Sequence, residues 1–207
     1  MDFFYGHTSG NSARSAMALY ETGADFNARL LDVKAGANKT PEYLAVNPMG
    51  KIPGFTDGAL HLWESNAINW YLAEKYPQAR LLPETPAGRA DVHRWIFFQV
   101  GHISPAAAPL FRGLHPRVAA YWGFKPDEPA IEQGKKELTR FLPVLEQQLK
   151  AREYLAGAFS VADIAYVPHL TLLAEMGYAL PPATAAWLAK LQARPSWQKA
   201  KQLVTAP

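Results

Sequence analysis

Short apolar runs alternate with helix-spaced apolar positions over the first third of the chain, and only helical spacing persists beyond it. Asp2 to Gly6 reads as a short buried strand. Ala16, Leu19 and Tyr20 place a helix over Ala13 to Thr22, stopped by Gly23. Phe26 to Val33 reads as a second strand. Lys34 to Thr40 is a loop of mostly small and polar residues, and Pro41 opens a short helix through Ala45. Pro53 to Thr56 and Ala59 to Trp63 pair as a hairpin across Asp57-Gly58. Ala67, Ile68, Trp70, Tyr71 and Leu72 then mark a helix with Ser65 as its N-cap, ending near Tyr76-Pro77. The order strand, helix, strand, helix, hairpin, helix predicts a mixed sheet, parallel where a helix separates two strands.

Gln78 to Gly88 carries Pro83, Pro86 and Gly88 and reads as a linker. Beyond it the strand signal disappears. Arg89 to Ala107 is a long helical pattern with Trp95, Phe98 and His102 near one face, to be kinked or ended by Pro105 and Pro109. Arg117 to Trp122 reads as a short helix. Ala130 to Lys150 is an amphipathic helix that Pro143 is expected to bend. Ser160-Val161-Ala162-Asp163 is a capping box with Asp in place of the usual Glu, flanked by a Phe159 and Ile164 staple. Helices near Ala183 to Ala193 and Pro195 to Leu203 finish the chain. The expected fold is an α/β N-terminal domain over residues 1–78, a linker over 79–88 and an all-α domain over 89–207.

Composition narrows the function. The 207 residues are 49% hydrophobic and 19% charged, enough for one large or two small cores. There is no apolar run of about eighteen residues and no signal-like start, so a soluble cytoplasmic protein away from the membrane is expected. Cysteine is absent, which excludes disulfides, thiolate metal sites and a cysteine nucleophile. Any thiol chemistry must use a ligand's sulfur. The net charge of +3 is scattered, with no basic stripe interleaved with aromatics, so nucleic acid is not an expected partner. The six histidines lack metal-ligand spacing, so no metal is expected, and neither a phosphate loop nor a nucleophile elbow is present.

Two devices stand close together between Asn47 and Ser65. Lys51-Ile52-Pro53 is an extended segment running into a proline whose cis form is accessible. A turn there leaves backbone groups open to an extended ligand, as at a sheet edge. Glu64-Ser65 ends a strand and opens a helix, whose free N–H groups and dipole suit a carboxylate. Glu64 beside them suits an ammonium. Together they describe an amino-acid head group on a peptide-like ligand.

The segments NPMGKIP (47–53), TDG (56–58) and LWESNAINWYL (62–72) resemble the glutathione-binding half of the cytosolic glutathione transferases. AGAFSVADI (156–164) is similar to the family's capping box at the matching place. The likeness is to phi and theta enzymes overall. It implies a thioredoxin-like first domain, glutathione as co-substrate, a hydrophobic small-molecule electrophile and a homodimer, with Met49 where several classes place an apolar key for the partner subunit. The second substrate is expected between the domains, against the helix from Arg89, with Phe98, His102, Phe111, Arg112 and Trp122 as candidates.

The loop before the first helix departs from the common pattern, with Gly10 where theta- and phi-like enzymes carry their serine. Ser9-Gly10-Asn11-Ser12 is similar instead to the Thr-Pro-Asn-Gly loop of nu-class bacterial enzymes. The resemblance therefore implies Ser9, Asn11 and Ser12 as sulfur donors, with Tyr5 near the place of the tyrosine of other classes. For the rest of the ligand it implies Asn38 and Lys39 at the glycine carboxylate. Lys51, the backbone of Ile52 before Pro53, and Glu64 with Ser65 complete the set. A free thiol titrates at about 8.5, and bringing it to about 6.5 takes roughly 2.7 kcal/mol of preferential thiolate stabilisation. The implied reaction is conjugation of glutathione to an electrophile. Glutathione-dependent disulfide or peroxide reduction and a non-catalytic binder or adaptor are the alternatives, because fold does not fix function.

Overall fold

The apolar run after Met1 becomes β1 (Asp2–Tyr5), the strand around which the first unit is built. A computed structural model describes residues 1–205, and its chain divides into one unit of residues 1–80 with 195–205 and another of 81–194. β1 pairs in parallel with β2 (Asn27–Leu30), because α1 (Gly10–Thr22) crosses between them. Thr40 caps α2 (Pro41–Val46), with proline at the first helical position. β3 (Gly54–Asp57) runs antiparallel to β1, and β4 (Leu60–Trp63) antiparallel to β3, giving the order β2-β1-β3-β4. Gly58, at φ +59°, makes the tight turn between the last two. Phe3 and Phe55 are fully buried on one face of the sheet, where α1 and α3 (Ser65–Lys75) pack side by side.

The second unit is helical. α4 (Pro86–Phe98) passes through a π-helical turn, Gln99–Ile103, into α5 (Ser104–Leu114). The sequence predicts a kink or an end at Pro105 and Pro109. Instead the wider turn leads into α5 with Pro105 in its first turn, and Pro109 lies inside α5, so the helical path continues through both. α6 (Pro116–Trp122), α7 (Glu128–Ala151), α8 (Val161–Glu175) and α9 (Pro182–Gln192) complete the unit. α7 approaches α5 closely at Gly134, where a Cβ would collide with the carbonyl oxygen of Ala106.

α8 is the core helix, buried from Val161 through Thr171. The expected capping box is present at its start. Asp163 accepts from Ser160 N (2.9 Å) and Ser160 Oγ (3.1 Å), and also from Leu155 N (3.0 Å) and Trp187 Nε1 (3.1 Å). Burial pushes its carboxyl up to about 6, against the pull of these four donors.

α10 (Pro195–Thr205) packs along α1 and so belongs with the first unit, whereas the sequence reading groups it with residues 89–207. Trp197, Ala200 and Val204 are buried there, Ser196 Oγ donates to Glu21, and the Lys199 ammonium lies 5.8 Å over the Tyr20 ring. Apolar spacing shows that a helix has a buried face but not which partner buries it.

Glu146 of α7 caps a different helix from its own. It accepts from Thr184 N (2.9 Å), Thr184 Oγ (3.1 Å) and Ala183 N (3.2 Å) in the first turn of α9. Burial raises its pKa, but the Thr184 and Ala183 donors outweigh it and hold the carboxyl below the ordinary 4.5. A carboxyl lowered in the folded state contributes stability above its unfolded pKa and loses it as pH falls through the folded one. Glu146→Gln is therefore expected to cost about 1–2 kcal/mol at pH 7, with the gap to wild type narrowing below about pH 4.5, measured by urea unfolding across pH.

Candidate functional site

Three segments of the first unit begin at one edge of its sheet. β1 and β4 are both antiparallel to β3, so they point the same way. The helices that follow them, α1 and α3, therefore start at the same edge. β3 begins there too, since Gly54 pairs with Phe4 near the end of β1.

The start of α3 is left open. Glu64, exposed and at φ 68°, is its N-cap and makes no side-chain capping bond. The sequence reading places Ser65 at the cap. Ser65 is instead the first helical residue, turned inward and 6% exposed. Its Oγ accepts from Arg14 Nη1 (3.1 Å) and its carbonyl from Ser15 Oγ (3.2 Å), which holds the side chain away from its own helix end. The first backbone bond of the helix is Ile68 N to Glu64 O (3.0 Å). The N–H groups of Ser65, Asn66 and Ala67 have no partner among the described residues.

Ile52–Pro53 is cis, as the sequence allows. The carbonyl before it, that of Lys51, is held by Tyr43 Oη (2.5 Å) and Asn47 Nδ2 (2.7 Å). Burial pushes the Tyr43 phenol up to about 12, so it remains a donor at neutral pH. Both backbone groups of Ile52 stay without a hydrogen bond among the described residues. The Lys51 side chain is exposed. Lys39 is exposed with its ammonium beside Gly50, but Asn38 is buried and donates through Nδ2 to Gly50 O (2.6 Å). Asn38 thus closes the loop that carries Lys39, with one of its amide N–H groups taken by Gly50 O.

At the start of α1, Ser9 is the N-cap, its Oγ accepting from Ser12 N at 3.1 Å. A hydroxyl that accepts there keeps its own proton to donate. Asn11 is exposed, whereas Ser12 is fully buried inside the helix and out of reach of a sulfur arriving from solvent. Tyr5 is buried in β1, stacked on Phe3, with its phenol raised by burial. Thr8, at φ 55°, is fixed by its N–H donating to Val204 O of α10 (2.9 Å). A β-branched residue is uncommon in that region, and the bond to α10 holds it there.

The aromatic candidates of the second unit separate into three places. Phe98 and His102 meet Phe141, at 5.9 and 4.9 Å respectively, and His102 and Phe141 line a groove of about 490 Å³ between α5 and α7. Phe111 is buried against His169, ring to ring at 5.2 Å. Trp122 stacks on Phe124 (6.5 Å), over which Arg112 also lies (5.7 Å), and exposed Phe124 is the apolar surface of that group. No cluster of potential metal ligands occurs among the described residues, and no helix among them is long and apolar enough to cross a membrane.

An α/β unit with open donors at one sheet edge, in a chain that also carries a helical unit, is a pattern that known proteins share. Residues 3–74 match the glutathione S-transferase N-terminal domain model and residues 90–195 the C-terminal domain model. The chain is 37% identical to glutathione S-transferase 3 of Zea mays, over 96% of this chain and 92% of that protein. It is 34% identical to glutathione S-transferase F10 of Arabidopsis thaliana, over 98% and 97%. Among solved structures, a theta class enzyme from Xanthomonas axonopodis pv. citri with glutathione bound superposes with a TM-score of 0.82 at 32% identity, covering 96% of this chain and 95% of that one. The chain belongs to the glutathione S-transferase family.

Arg14, Ser15, Tyr43 and Asn47 shape the site, yet the sequence reading gives none of them a role. Arg14 had a signal: it is the one charge among Ala13, Ala16, Met17, Ala18 and Leu19. Gly50 is a second sensitive point, because at φ +59° an added Cβ would also lie 2.7 Å from Lys39 Nζ and 2.9 Å from Asn38 O. Gly23 has a similar φ of +66° and open space around it. Gly23→Ala is expected to cost about 1 kcal/mol of backbone strain, and Gly50→Ala about 1–2 kcal/mol more, compared by thermal unfolding.

Proposed function

We propose that the protein binds glutathione along the open edge of its first unit, favours the thiolate and conjugates it to an apolar electrophile. The observation that carries the reading is the uncapped first turn of α3 beside exposed Glu64, at the edge where α1 and β3 also begin. Glu64 takes the γ-glutamyl ammonium. The Ser65 hydroxyl and the free N–H groups behind it take the adjoining carboxylate. The two open backbone groups of Ile52 pair with the cysteinyl residue, as in strand addition. Lys39 and Lys51 face the glycine carboxylate, with Asn38 holding the loop.

Ser9 and Asn11 act at the sulfur. The Ser9 hydroxyl and Asn11 amide donate to the thiolate near the positive end of α1, which lowers the energy of the anion relative to the thiol. The sulfur lone pair then forms the new bond to the electrophilic carbon as the leaving group departs with its electrons. Glutathione bound in the Xanthomonas relative supports the ligand. Met49, 51% exposed on the loop before β3, is the apolar key of a cytosolic homodimer in this reading.

A spectroscopic pH titration of bound glutathione tests the site. The thiol pKa is expected to fall about two units below the free value of about 8.5 and to rise by about one in Ser9→Asp and Asn11→Ala. Ser9→Asp retains an excellent N-cap while losing the donor, so it separates sulfur contact from helix capping. Tight binding with an unshifted thiol would instead leave a glutathione binder without this catalysis. For assembly, Met49→Glu is expected to convert a dimer to monomer in sedimentation equilibrium, by placing a charge in a desolvated contact.

A further inference from the structure

Three non-glycine residues stand at positive φ among the described residues, Thr8, Glu64 and Arg80, and only Thr8 is β-branched. It lies directly ahead of Ser9, and the group that holds it comes from the far end of the chain. Its N–H donates to the Val204 carbonyl in the last turn of α10, where helix carbonyls have no partner within their own helix. α10 runs back along α1. Ser196 at its start bonds Glu21 in the last turn of α1, Lys199 lies over Tyr20, and Val204 at its end meets the loop before α1. The chain passes from β1 to α1 in residues 6–9, with little slack. The Tyr5 carbonyl accepts from Leu31 N (2.8 Å), and Gly6 is packed so closely that a Cβ would lie 2.5 Å from Ile52 Cδ1. Ser9 is tied into α1 by Ser12 N at its hydroxyl and Ala13 N at its carbonyl (2.9 Å).

We infer that α10 is a strap on the sulfur site: through the Val204 carbonyl it makes Thr8 a positioning residue that aims the Ser9 hydroxyl. This role rests on the glutathione reading, in which Ser9 donates to the thiolate. Released from α10, Thr8 relaxes to the ordinary negative-φ region, a rotation of about 100° or more in the backbone one residue ahead of Ser9. With Gly6 fixed on one side and α1 on the other, the N-cap conformation of Ser9, φ −113° and ψ 107°, has to change to absorb it. The direction of the hydroxyl changes with it. A hydrogen bond weakens steeply once it is bent, so misalignment of this donor is felt at the sulfur. The start of α3 and the backbone of Ile52 take no part in the contact between Thr8 and Val204. The strap therefore separates thiol activation from binding: loosening it disfavours the thiolate and leaves the other ligand contacts in place.

The test pairs a spectroscopic titration of bound glutathione with calorimetric binding of S-methylglutathione, which keeps the peptide but has no thiol to ionise. Val204→Pro in the full chain disrupts the last turn of α10 and displaces its carbonyl. It is expected to raise the bound-thiol pKa by about one unit, about a tenfold loss of thiolate preference, and to weaken S-methylglutathione by less than about threefold. Adding Thr8→Asn is expected to recover about half or more of that shift, measured against Thr8→Asn alone, because Asn is several-fold enriched at positive φ. Gly23→Ala strains the far end of α1 and is expected to leave both measurements at wild type, which tells loss of the strap from a general loss of stability. An unchanged thiol, an equal loss of S-methylglutathione affinity, or a shift that Thr8→Asn does not reduce would each overturn the inference. If Val204→Pro does not unfold cooperatively, Val204→Gly replaces it, since it loosens the last turn without barring it. About a two- to threefold loss of thiolate preference is then expected, and the same outcomes overturn the inference. Failure of the wild type to bind S-methylglutathione would instead remove the glutathione reading itself.

Discussion

Two strands that never touch, β1 and β4, point the same way because each is antiparallel to β3. The site depends on this constraint. It brings the starts of α1 and α3 to one edge, where two sets of free N–H groups and two dipoles face the same solvent. Fixed backbone donors and the side chains at the two helix starts can then act on one extended ligand from the same edge. The bond from Arg14 to Ser65 locks the two helix starts together at that edge.

The two units use their polar groups differently. In the helical unit, two carboxylates are filled: Asp163 takes four donors and Glu146 three, each tying together separate segments. In the first unit, the backbone just outside the site is held as tightly, with Tyr43 and Asn47 both on the Lys51 carbonyl. The next residue is left open. Rigid support under unpaired groups is how a binding edge retains its shape without satisfying itself.

Much of the first unit could be read from the chain because its signals are local. Gly23, Pro41, Asp57-Gly58 and the strand-then-helix change at Ser65 each act within a few residues. Which way a polar side chain faces is not local. Asn38 and Ser12 look like ligand donors in a loop, but the folded chain turns both inward, one onto Gly50 O and one into α1. Ser65 looks like a cap until Arg14, fifty-one positions away, takes its lone pair. The aromatic candidates of the second unit share helical spacing, yet they end in three environments, because a helix turns about 100° per residue and the π turn adds its own offset.

Residues 195–205 reach back over α1, and Val204 holds Thr8 in the loop that leads to Ser9. The first unit is therefore discontinuous in the chain, its last piece made after the whole helical unit. As the chain leaves the ribosome at about 5–20 residues per second, the sheet and its helices can form early, but Thr8 and the loop before α1 stay unpinned until α10 arrives. The nascent chain would thus form the start of α3 before it fixes the segment that leads into α1, and residues made later would complete a unit begun much earlier.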